Sequence, residues 1–94
     1  MSIGKTIGKL RKIRRFSQGE LASEANITQA YLSSIENGKR DPTVSKLEAI
    51  ALALSIPLPI IFFLSLEPAN LPEGKRDLFE VLKPLMENLI EEYT

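Results

Sequence analysis

The sequence predicts an all-α chain, and three observations carry that prediction. Apolar residues recur at three- and four-residue intervals through most of the 94 residues, and no stretch alternates in the period-two manner of a half-buried strand. Several of these segments open on residues suited to a helix start: Ser17 with Glu20, Thr28, Thr43 and Pro59. Between them stand Asn26, Gly38 and Asp41-Pro42, residues that favour a left-handed turn or interrupt a helix.

Taken in order, Ile3, Ile7, Leu10 and Ile13 follow helical spacing with Lys5, Lys9, Lys12 and Arg15 on the other side, which describes a basic amphipathic first helix. Ser17-Gln18-Gly19-Glu20 has the form of a capping box, in which the serine oxygen accepts from the third helical amide and the glutamate reaches back. A second helix therefore starts there, carries Leu21, Ala22 and Ala25 inward, and stops at Asn26. Thr28 caps a third helix from Gln29 to about Asn37, with Leu32 and Ile35 inward and Gly38 ending it.

Thr43 caps a fourth helix whose apolar face is Val44, Leu47, Ile50, Ala51 and Leu54. Pro59 at a first helical position begins a short fifth helix through Leu64. Glu67 to Gly74, with two prolines and a glycine, reads as a linker. Beyond it Asp77 and Glu80 offer another cap pair, and Leu78, Leu82, Leu85 and Leu89 make a stripe with Phe79, Met86 and Tyr93 a heptad apart. Pro84 removes one backbone hydrogen bond from this sixth helix and predicts a kink or a division near Leu82. The expected organisation is one domain over residues 1–66, followed by a linker and a C-terminal helix for dimerisation or packing over 67–94.

Cysteine and histidine are both absent, which removes disulfides, thiolate chemistry, the usual zinc ligands and the commonest general base. No metal, no cofactor and no enzymatic activity are expected. The formal net charge of zero conceals two opposed halves. Residues 1–46 hold nine Lys/Arg against four Asp/Glu, and the remainder hold three against eight. The basic half suits a polyanionic partner and the acidic half should face away from it. The N-terminus leads into an amphipathic pattern and not an apolar signal region, and the longest apolar run, Ile56 to Leu66, is broken by prolines and serines and is shorter than the roughly 20 residues that span a bilayer. A cytoplasmic protein without a membrane partner is expected.

Residues 17–37 thus combine a capped short helix, a tight turn and a second capped helix in a basic surround. Such a pair crosses steeply, and its second helix protrudes enough to enter the major groove of double-stranded DNA, with a small residue at Ala22 letting the two helices approach. With Leu32 and Ile35 inward, Gln29, Ala30, Ser33, Ser34 and Asn37 face out. Glutamine can bond bidentately to adenine, serine can give or accept at any base, and alanine can touch a thymine methyl, so Gln29, Ala30, Ser33 and Ser34 are the base-reading candidates. Gln18, Thr28, Asn37, Lys39 and Arg40 surround them as candidates for phosphate. Tyr31 suits phosphate contact or partial core. Arg11 and Glu36 lie on helices expected to pack together and are expected to form an internal ion pair that orients the third helix.

The run Ser17-Gln18-Gly19-Glu20-Leu21-Ala22, then Ile27-Thr28-Gln29, then Leu32 through Thr43 and Leu47 through Leu54 resembles the phage-repressor, or Xre/Cro-like, helix-turn-helix family. The likeness covers about Ile7 to Leu64. It implies a five-helix lambda-repressor-like domain that binds operator DNA, usually as a twofold dimer, with Gln18 and Asn37 at phosphate positions and Gln29, Ala30, Ser33 and Ser34 at base-reading positions. Two positions depart from the family pattern: Gly19 replaces a commoner helix former, and Asn26 stands where glycine is frequent.

One such unit reads only about four to six base pairs, so a dimer on two half-sites is expected. Candidate dimer residues are Ile61, Phe62 and Phe63 in the over-apolar fifth helix and Leu82, Leu85 and Leu89 in the sixth. The sixth-helix stripe would equally serve as core if it folds back on its own domain. The leading expectation is a sequence-specific transcriptional regulator, a repressor on an inverted-repeat operator. The alternative keeps the fold as an antitoxin or protein-bridging module, with a protein partner docking on the acidic tail and DNA contact secondary.

Overall fold

The computed structural model describes residues 3–66 and 76–92, and they form six helices: α1 (Ile3–Ile13), α2 (Gln18–Glu24), α3 (Gln29–Glu36), α4 (Val44–Leu54), α5 (Leu58–Ser65) and α6 (Arg76–Glu92). No strand occurs among the described residues. The expected all-α architecture is the one observed.

The helix starts follow from local chemistry. Ser17 is extended and its side chain accepts from the Glu20 amide at 3.0 Å, while the Glu20 carboxylate accepts from the Ser17 amide at 2.9 Å, closing the capping box. Thr28 and Thr43 each accept from the amide three residues on, at 3.0 and 3.2 Å. The stops are also chemical. Asn26 adopts φ 57° and Gly38 φ 74°, the left-handed geometry that turns the chain out of α2 and α3. Arg15 (φ 63°) and Ser55 (φ 57°) do the same after α1 and α4 without any residue type that announces it.

Four expectations about element ends and faces need correction. Val44 is 64% exposed, because the first turn of α4 projects past the core that Leu47 and Ile50 enter. α5 begins at Leu58 with Pro57 as its cap residue, so Pro59 sits in the first turn but is not its first residue. Asp77 falls inside α6, which already includes Arg76, and so does not stand at the cap position. α6 also runs past Pro84 as one element, so of the kink or division expected there the division does not occur. The linker 67–74 and Tyr93 lie outside the described residues.

The core gathers one face from each of the first five helices: Ile7 and Leu10, Leu21 and Ala22, Leu32 and Ile35, Leu47, Ile50, Ala51 and Leu54, and Ile61 and Leu64. Ala25 and Ile56 join it from the connecting turns. α1 lies against α3 and α5, and α2 lies against α3 and α4. The α1–α3 approach depends on Gly4, since a Cβ there would overlap the carbonyl oxygen of Ile35 and stand 2.9 Å from its carbon. The α2–α3 approach uses Ala22, which is 2% exposed.

α6 returns to the domain. Met86 packs against the core cluster, and Glu87 forms an ion pair with Lys9 of α1. Its other side leaves Val81 and Leu85 exposed. Of the two roles the stripe could play, this one packs part of it in cis and leaves part of it uncovered.

Candidate nucleic-acid interface

α3 is held from behind by a polar cluster. Arg11 donates through Nε to Glu36 Oε2 at 2.8 Å and through Nη2 to Oε1 at 3.1 Å, and its Nη1 donates to the Phe16 carbonyl at 2.9 Å. Gln18 Nε2 also donates to Glu36 Oε1, at 3.1 Å. Both charged side chains are only about a tenth exposed. One carboxylate thereby ties α3 to α1 and to the amino end of α2, and a carboxylate satisfied by charged and neutral donors holds its geometry better than a solvated surface pair. The Arg11–Glu36 pair is the one expected from the sequence. Gln18, expected as a phosphate contact, is here a structural partner of Glu36, a tertiary relationship that no local signal announces.

With Leu32 and Ile35 buried, the opposite side of α3 is open. Gln29, Ala30 and Asn37 are exposed, while Ser33 and Ser34 are half-buried. The two serines differ in what they can offer. Ser34 donates its hydroxyl to the Ala30 carbonyl at 2.9 Å, which leaves its oxygen to accept. Ser33 accepts from Asn37 Nδ2 at 3.3 Å and keeps its own hydrogen. Gln29 lies over the amino end of α2, its Oε1 3.6 Å from the place a Cβ on Gly19 would occupy, so the smallest residue stands where the glutamine passes.

The surround is polar and basic. Thr28 caps α3 and is exposed; Lys39 and Arg40 are exposed on the loop after it, where the amides of both bond to the Ser34 carbonyl. The Arg40 guanidinium sits 5.2 Å from the centre of the Tyr31 ring, a cation–π distance. Tyr31 itself is half-buried and packs against the core, so partial core is one of its roles.

Of the six residues expected at a dimer surface, Ile61 is 1% exposed and belongs to the core, because the helical phase of α5 turns it and Leu64 inward together. Phe62 is 47% exposed, and Phe63 is half-buried against the core. Leu85 is exposed and Leu82 half-buried. Leu89, like Leu78 and Phe79, lies outside the residues whose side chains are described. No group of acidic residues that could hold a metal ion occurs among the described residues, and no single described helix is long and apolar enough to cross a membrane.

A short capped helix, a tight turn and a second capped helix with its outer face open define a helix-turn-helix unit. The helix-turn-helix family model matches residues 7–61. Over 61 residues the chain is 41% identical to the immunity repressor protein of Bacillus phage phi105, an alignment covering 65% of this chain and 42% of that protein. It is 38% identical over 55 residues to the transcriptional regulator SinR of Bacillus subtilis, covering 57% of this chain and 50% of that one. It is 40% identical over 58 residues to the control protein C.MunI of a Mycoplasma species, covering 57% and 78%. The chain spans about half the length of the first two of these relatives.

The chain belongs to the phage-repressor, or Xre-like, helix-turn-helix family. That is a family of DNA-binding transcription regulators and not of enzymes, as the absence of histidine and cysteine leads one to expect.

Proposed function

We propose that this chain is a repressor that binds an inverted-repeat operator as a homodimer, with α3 in the major groove. The observation that carries the reading is the division of α3 into a buried side and an open side. Leu32, Ile35 and Glu36 fix the helix on the domain, and Gln29, Ala30 and Ser33 are left on the face a base pair would meet. A reading helix fixed before binding loses little conformational entropy on docking. Asn37, Lys39 and Arg40 beyond its end, and Gln18 and Thr28 near its start, bracket that face with groups suited to phosphate. Likeness to a phage immunity repressor supports repression as the outcome.

Pairing would use apolar surface left uncovered within one copy: Phe62 of α5, Val81 and Leu85 of α6, with Leu82 at the edge. The experiment is selection from a random pool of roughly 30-base-pair duplexes at near-physiological salt, where non-specific phosphate binding is weakened. An enriched inverted repeat with half-site centres about one helical turn apart is the expected result. An enriched single half-site would refute the dimer, and no enrichment would refute operator binding.

A further inference from the structure

We propose that the lysine face of α1 forms an additional contact to the DNA phosphate backbone, continuous with Asn37 at the end of α3. The inference rests on the operator-binding reading and widens its footprint beyond the contacts placed around α3. Lys5, Lys9 and Lys12 line one open groove of about 480 Å³ together with Gly8, Ile13, Glu36 and Asn37. Their spacing of four and three residues puts all of them on one stripe of α1.

Positive charge predominates in this groove, with three lysines against one carboxylate, although Lys9 is paired with Glu87 of α6. Its single carboxylate is Glu36, both of whose oxygens are already engaged by Arg11 and one also by Gln18. Gly8 lets the Glu36 side chain lie close against α1, since a Cβ there would stand 3.2 Å from Glu36 Oε1. From Lys5 to Lys12 the helix rises about 10 Å, close to three steps of duplex at about 3.4 Å each. Flexible ammonium groups spread over that length, with no buried donor focused on one point, match an extended polyanion better than a small free anion.

Asn37, at the close of the helix whose outer face is proposed to read bases, lines the same groove, so a strand of backbone leaving that helix would run along α1. Lys9 is engaged with Glu87 of α6. Lys5 and Lys12, both exposed, are the residues to remove.

The test titrates the full chain onto the selected duplex and onto a scrambled duplex of equal length, between about 50 and 200 mM salt. A Lys5→Ala, Lys12→Ala double variant should bind both duplexes more weakly by the same factor. Its slope of log affinity against log salt should be shallower by up to about 1.8, at about 0.9 for each phosphate that is no longer neutralised. The Lys5→Arg, Lys12→Arg variant should keep the original slope. An unchanged slope in the alanine variant overturns the proposal and leaves operator binding standing, as does a weakening confined to the selected duplex. A chain that binds both duplexes equally but still shows the slope change supports the α1 phosphate interaction and overturns the operator reading. Binding to neither overturns both.

Discussion

Arg11 and Glu36, 25 residues apart in the chain, meet through two parallel hydrogen bonds of 2.8 and 3.1 Å, and Gln18 adds a third donor to the same carboxylate. Removing the carboxylate strands a largely enclosed guanidinium. Glu36→Ala should therefore destabilise the chain by about 2–3 kcal/mol in the absence of DNA. For a domain of this size that lowers the midpoint of thermal unfolding by roughly 10–20 °C. Circular-dichroism melts of the two proteins check it, and a shift of under about 3 °C would show the pair to be ornamental to stability.

Two glycine-to-alanine substitutions should act in opposite directions. At Gly4 the new methyl meets the Ile35 backbone, which cannot rotate away, so α1 must lift from α3. Gly4→Ala should cost about 1–3 kcal/mol despite alanine's better helix propensity. At Gly19 the nearest atoms are 3.6 and 3.9 Å away, ordinary contact distances. Gly19→Ala should gain about 0.5–1 kcal/mol. Urea unfolding of both variants beside the parent decides the signs.

The capping box predicts a pH dependence. The amide of Ser17, and secondly its hydroxyl, hydrogen-bond the Glu20 carboxylate and hold its pKa below the usual value of 4.5. A carboxyl whose pKa is lower folded than unfolded contributes stability that is fully present above the unfolded value and is lost as pH falls through the folded one. Glu20→Gln preserves the box without the charge. The stability difference between parent and Glu20→Gln should be constant above about pH 5.5 and shrink as pH falls below about 4.5. Denaturant midpoints across about pH 3–7 test this, and a difference independent of pH would refute it.

On the open face of α3 the side chains should not contribute equally. Gln29 is exposed and can present a donor and an acceptor together, whereas Ser34 has committed its hydrogen to Ala30. Against the selected operator, Gln29→Ala should lose about 1–3 kcal/mol of discrimination over a scrambled duplex, and Ser34→Ala less. Equal effects would place Ser34 in a different rotamer when bound.

Phe62 and Leu85 provide the test of self-association. Each is about half exposed and apolar, and a charge at either should weaken pairing by at least about tenfold, the equivalent of losing one buried large side chain. Sedimentation of Phe62→Glu and Leu85→Glu against the parent measures it, and parent chains that remain single at high concentration would remove the dimer from the proposal.

Much of this molecule was legible from its chain because its punctuation is local. Ser17 and Glu20 are three residues apart, Thr28 and Thr43 cap the amides just beyond them, and Asn26 and Gly38 need no distant partner to turn. The Arg11–Glu36 pair could be expected once helix faces were assigned. What escaped depends on where helices lie relative to one another. Val44 shares the periodicity of Leu47 but overhangs the core, and Ile61 looks no different from Phe62 until α5 has a phase. Gln18 as a second partner of Glu36, and α6 docking by Met86 and Glu87, are likewise products of tertiary geometry.

The two-sidedness of α3 has an evolutionary corollary. The residues that secure this helix, Leu32, Ile35 and Glu36, are separate from Gln29, Ala30 and Ser33 on its outside. Drift among the outward positions leaves the framework's packing and ion pair untouched, so descendants of this chain can diverge in what they recognise while inheriting one unaltered scaffold.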